Sequence, residues 1–146
     1  NKPPPMTAPA WHFRPIAALA IAWHLVAAVD YLAVKFGLAA YLSWFTADQI
    51  AYFTEMPLWA DVAWAAGVWA GAGGAVMLWW RHRSATLLFA LSFVGLIVLT
   101  AGLVILREPG LAAMTGRAGV WLMVAATAAA FLFYLYARTQ HIHHRI

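Results

Sequence analysis

The residues able to do chemistry in this chain are few: five carboxylates, six histidines and no cysteine. Without Cys there is no disulfide, no thiolate metal site and no Cys nucleophile. His24 lies inside an apolar run, where an ionisable side chain is costly enough to mark a candidate functional site. Its imidazole suits three roles. It can be a neutral partner of a backbone carbonyl or of a Ser or Thr on another helix, an axial ligand to a pigment or haem shared with another subunit, or a polar contact in a solute path. His12 precedes that run and His82, His141, His143 and His144 stand at its cytoplasmic edge, so no second His reaches the same depth. Asp30 and Asp61 form a second candidate binding set, because antiparallel neighbouring spans would place them at similar depth. Asp30 can pair with Lys35, Arg107 or Arg117, and Asp61 can favour a helix N-terminus; as a proton or cation relay the two would lie unusually shallow. The end His141-Ile142-His143-His144 has the look of a metal set, but neither carboxylate nor Cys completes it, and no resident metal is expected. Nothing has the form of a Walker loop, a Ser–His–Asp set or a zincin helix, so no enzymatic activity is expected.

The elements that hold these residues follow from composition. Of 146 residues, 65% are hydrophobic and only 10% charged, against roughly 25% charged in an average domain. Such a chain cannot cover a water-facing surface, and its solvent is a lipid bilayer. The nine Trp and five Tyr suit the two lipid–water interfaces. Runs of about 20 apolar residues, enough to cross a ~30 Å hydrocarbon core, occur at about 16–36, 60–80, 85–106 and 118–137. They are continuous rather than alternating, which excludes a β-barrel. The expected fold is an all-α four-transmembrane-helix bundle forming one integral membrane domain, with a flexible Pro-rich tail over 1–10 and a His-rich tail over 138–146. Thr46-Ala47-Asp48-Gln49 has the form of a capping box, flanked by Phe45 and Ile50 at staple positions. A short interfacial helix is therefore expected in the first outer loop, ending near Glu55 or Met56 before Pro57, with Ile50 and Phe53 towards lipid or the bundle and Asp48, Gln49, Tyr52 and Glu55 towards water. The segment from Arg107 to Arg117 reads as a turn, because it contains Pro109, Gly110 and Gly116.

Lys2, Arg14, Arg81, Arg83, Arg138 and Arg145 fall on the side of the termini, and Lys35, Arg107 and Arg117 on the other, so both termini are expected in the cytoplasm. All five acids, Asp30, Asp48, Glu55, Asp61 and Glu108, fall in the outer half. The formal charge of +4 is read as topology and contact with anionic lipid, not as nucleic-acid binding. Gly67 and Gly71 form a GxxxG pair continued by Gly73 and Gly74, a face that another helix can approach closely. Gly95 and Gly102 on the third span could supply the matching surface within the chain; the alternative is a helix of another protein.

Trp23 with Asp30-Tyr31-Leu32, Phe45-Thr46 with Gln49 and Tyr52, Pro57 with Trp59, the glycines Gly67, Gly71 and Gly74, Arg81 with Arg83, and Leu88-Phe89 with Ser92 and Gly95 resemble a bacterial family of small four-span membrane proteins often labelled "sugar transporter". His24 stands where that family carries Asn. The resemblance covers the first three spans and the first outer loop. It implies the four-span fold and a bacterial inner membrane, and it transfers no binding residue. The functional expectation is an accessory or structural subunit, with other membrane-protein subunits or a second copy as partners in a respiratory or photosynthetic type of complex. The alternatives are an oligomeric transporter of a small, sugar-like solute or of protons or cations through His24, Asp30 and Asp61, and pigment or haem binding through His24.

Overall fold

The structure, a computed structural model, describes residues 2–146. It contains α1 (Phe13–Lys35), α2 (Ala39–Leu42), α3 (Ala47–Thr54), α4 (Leu58–Trp79), α5 (Ser84–Ala101) continued by a π turn (Gly102–Leu106), and α6 (Leu111–Ile142), with no strand among the described residues. Four helices, α1, α4, α5 with its π turn, and α6, are long and apolar enough to cross a membrane. The chain is a multi-pass integral membrane protein built as a four-helix bundle.

α4 packs on α5, α5 on α6 and α1 on α4. The α4–α5 seam is made by the glycines. Ser92 Oγ donates to Gly67 O at 2.5 Å, and a Cβ on Gly95 would stand 2.8 Å from both Ala63 O and Gly67 N. Leu96 covers Gly67, Phe89 covers Gly74, the Trp59 ring covers Gly102, and His24 and Ser92 together cover Gly71. The GxxxG face is thus matched by α5 and α1 of the same chain. Close approach of this kind is how helices gain packing in lipid, where burial from water supplies no drive.

The apolar material divides into two clusters. At the pole holding the chain termini, Phe13, Ala17, Leu78, Phe89, Phe133 and Ala137 pack together. There α1 meets α6 through His12 Nδ1 and the Tyr136 hydroxyl, 2.8 Å apart, and through the His24 and Phe133 rings. At the opposite pole, Ala28, Val34, Tyr52, Met56, Trp64 and Leu103 form the second cluster.

The loop joining α1 to α4 covers that second pole. Thr46 forms the capping box expected from the sequence: its Oγ1 accepts from Gln49 N at 3.2 Å, and its own N–H donates to Gln49 Oε1 at 3.1 Å. Gln49 Nε2 then donates to Met114 O at 3.0 Å and ties α3 to α6. The Arg107 guanidinium donates to Tyr52 O at 2.8 Å and lies 3.7 Å over the Tyr52 ring. Tyr52, expected to face water, is only 5% exposed because Arg107 and the core enclose it. The single turn α2 was not expected.

α6 also departs from the expected boundaries. A short helical piece over residues 111–115 comes first, and Gly116, whose backbone is non-helical (φ 69°, ψ −175°), divides it from the long helix that follows, so the expected start near 118 holds for the continuous part. It runs past 137 to Ile142, since Arg138, Thr139 and Gln140 are compatible with helix although they end the apolar run. Hydropathy marks the thickness of the bilayer, whereas the helix ends where its backbone turns left-handed, here at His144 (φ 53°). At the termini, Arg81 donates to Arg145 O at 2.9 Å and to Thr7 O at 2.7 Å, and Thr7 N donates to His144 O at 2.9 Å. The Pro-rich segment therefore has a fixed attachment at Thr7. Asn1 lies outside the described residues.

Candidate functional site

The three polar residues singled out within the spans do not converge. His24 is 4% exposed, and its Nδ1 donates to Ala20 O, one turn earlier, at 2.8 Å. The Phe89 and Phe133 ring centroids stand 5.7 and 5.4 Å from that of the imidazole, and the edge carrying Nε2 faces Gly71. A planar macrocycle on Nε2 would have to displace these rings and the α4 backbone. Asp61 pairs with Lys35, whose ammonium also lies 5.3 Å from the Trp64 ring centroid and 5.8 Å from that of Tyr31. Lys35 is not the partner of Asp30. Five positions along a helix correspond to about 140° of rotation, which turns the lysine towards α4. Among the described residues no three His, Asp or Glu side chains gather into a metal-holding group.

Asp30 instead borders a cavity of about 350 Å³ between α1 and α6, in the half of the bundle covered by α2 and α3. Its walls are helical and apolar: Val34 from α1, Leu99 from α5, Leu103 from the π turn, and Leu111, Leu122 and Met123 from α6. Its cover is the loop, through Tyr41, Phe45, Ile50, Phe53 and Met56. Trp64 borders it from α4. The space exists because α1 and α6, in contact at the terminal pole, stand apart here with the loop laid over the gap.

Few polar atoms face this space, and most are spent. Gln49 is engaged with Thr46 and Met114, and Thr115 Oγ1 donates to Leu111 O at 2.9 Å. The Tyr41 hydroxyl donates to the Asp30 carboxylate. Burial first, then the hydrogen bond and the charge of Asp30, push the Tyr41 hydroxyl up to about 12, so it keeps its proton and remains a donor at neutral pH. A carboxylate has about four acceptor positions. Among the described residues only Tyr41 occupies one on Asp30. The site is therefore an apolar chamber with one anionic corner whose acceptor capacity is largely free.

Sequence reasoning found Asp30 but not its cavity or Tyr41. The signal was the density of aromatic residues, Tyr41, Trp44, Phe45, Tyr52 and Phe53, in a segment too apolar for a plain loop. Of the other singled-out residues, the five glycines form the internal seam, and neither His24 nor Asp61 lines the chamber. No protein-family model, curated protein or solved structure matches the chain. The resemblance to the four-span family accordingly rests on the quoted residues alone.

Proposed function

We propose that this chain is a non-catalytic integral membrane protein of a bacterial inner membrane that holds an elongated apolar guest between α1 and α6. The observation that carries this reading is the chamber of about 350 Å³ with its capped, hydrogen-bonded cover. That volume lies within the ~300–1,000 Å³ typical of small-molecule sites, which are largely apolar with a few orienting polar groups. The distribution of basic residues favours both termini in the cytoplasm, with the chamber in the outer leaflet half. A sugar is a poor fit, since a ring bearing many hydroxyls needs many unspent hydrogen-bonding side chains and the lining offers chiefly Asp30 and Tyr41.

The test is to extract the protein gently and identify small molecules that co-purify by mass spectrometry, beside a Met123→Trp variant that fills the chamber. Retention of an apolar molecule by the unmodified protein and its loss from the variant supports the reading. Equal retention, or none in either, counts against it.

A second reading, an accessory subunit of a larger respiratory or photosynthetic type of assembly, is favoured by one other feature. An open groove of about 460 Å³ runs between α5 and α6, bordered by Phe93, Ile97, Val104, Val124 and Phe131. The glycine seam is taken up within the chain, so a partner helix would lie in this groove. Native-gel mass of the extracted particle tests it: a complex that Val124→Trp dissociates supports a subunit, and a particle of this chain alone opposes it.

A further inference from the structure

We infer that the chamber between α1 and α6 selects a hydrophobic cation, an apolar molecule carrying an ammonium group, with Asp30 as the group that recognises its charge. The inference rests on the proposed guest-holding function and names the class of guest.

Three observations carry it. The Asp30 carboxylate sits at the border of an apolar chamber with one hydrogen bond, from Tyr41. The cation closest along α1, Lys35, is engaged with Asp61 on α4, and no Lys, Arg or His borders the chamber. Arg107, the basic side chain fixed to the loop cover, is spent on the carbonyls of Tyr52 and Glu55. The chamber is also lined by four aromatic rings, Tyr41, Phe45, Phe53 and Trp64. A carboxylate at the rim of low-polarity walls attracts an opposite charge more strongly than one surrounded by water. Aromatic faces attract ammonium groups in addition, most strongly where water is excluded.

The same arrangement disfavours the other amphiphiles. A fatty-acid or phosphate head would meet the Asp30 charge with no cation to offset it. A neutral head that only accepts hydrogen bonds, such as a carbonyl, would find the Tyr41 proton already donated. A hydroxyl head can donate to Asp30 but lacks the charge, so it should bind between the two extremes.

The experiment uses three ligands with the same twelve-carbon chain, dodecylammonium, dodecanol and dodecanoate, at a pH where the amine is protonated and the acid ionised. Each is equilibrated by dialysis with the protein in zwitterionic lipid nanodiscs and with empty nanodiscs of equal lipid content. Excess retention is expected for the ammonium and, more weakly, for the alcohol, with the ammonium about tenfold tighter than the carboxylate. In Asp30→Asn the ammonium and carboxylate should come to within about twofold of each other, whereas Tyr41→Phe, which keeps the carboxylate, should preserve the preference. Equal retention of all three ligands by the unmodified protein would overturn the cation assignment and leave the guest-holding chamber standing. No excess of any ligand would overturn the chamber itself. A preference unchanged in Asp30→Asn would overturn the role given to that residue.

Discussion

The two poles of the bundle use the same four helices and end in opposite states. At the terminal pole Phe13, Leu78, Phe89 and Ala137 are fully buried, and the His12–Tyr136 hydrogen bond joins α1 to α6. At the other pole those two helices part, and the room between them is left as a chamber under α2 and α3. The difference lies in what stands between α1 and α6. At the closed pole rings bridge the two helices, His12 to Tyr136 and His24 to Phe133, while the glycine seam closes α4 on α5. Val34, Leu111, Leu122 and Met123 stand where α1 and α6 separate, and four bulky side chains around a gap neither fill it nor allow it to close. In lipid, where apolar contact with a neighbouring helix and with acyl chains are nearly equivalent, such a gap costs less than in a water-soluble core.

Several substitutions test this contrast, beginning with the largest expected effect. Gly71→Leu would drive a side chain into His24 and Ser92 at the junction of α1, α4 and α5, and overpacking of that kind costs about 1–3 kcal/mol or more. Loss of a monodisperse particle in size-exclusion chromatography is expected, and a variant as stable as the parent would mean that the seam is looser than described. Phe89→Ala, in the closed pole, should remove about 1–3 kcal/mol, below the ~3–5 kcal/mol of soluble cores because lipid is as apolar as the core. Phe45→Ala, at the chamber cover, should change thermal stability by less than about 1 kcal/mol. Equal losses from the two would erase the distinction between the poles.

Smaller effects sharpen the picture of the cover. Arg107→Ala removes the donors to the Tyr52 and Glu55 carbonyls and the cation stacked on the Tyr52 ring. Faster amide exchange across Ala47–Thr54 than in α4 or α5 is expected, with global stability lowered by about 1 kcal/mol. The last effect is one of pH. The Tyr41 hydroxyl is held up to about 12 from an ordinary 10.0, so its contact with Asp30 stabilises the fold fully below about pH 10 and is lost as pH rises through about 12. Ultraviolet titration of tyrosinate should show a late-ionising component that Tyr41→Phe diminishes. If the Tyr41→Phe difference spectrum instead titrates near 10, the hydroxyl is neither buried nor bonded to Asp30 in the way described.

Much of the architecture was legible because local chemistry specified it. Thr46 and Gln49 announced α3 through the capping box, since both bonds are made within four residues. Arg81-His82-Arg83 announced the short connection between α4 and α5. Gly116 marked the start of the long last helix, because its positive φ breaks the helical path there, whereas the short helical piece before it, from Leu111, carried no signal of its own. Tyr52 misled, because its burial depends on Arg107, which is distant in sequence and joins it only after folding. Asp30 was singled out as a candidate binding residue, but its partner Tyr41 was not. Lys35 is the obvious cation in sequence, and helix rotation gives it to Asp61 instead.

By itself, the sequence determined that the chain lives in lipid, that it crosses four times, where the connections fall and which residues are too polar to be there without reason. Those features depend on composition, on 1.5 Å of rise per residue and on capping bonds within a few positions. Only the tertiary structure decided that the glycine seam is internal, that His24 is packed in place between Phe89 and Phe133, and that Asp30 opens onto an apolar chamber. These depend on the angle at which helices cross and on side chains far apart in the chain. Such distances and angles are properties of the packed bundle and are not written in any one of its helices.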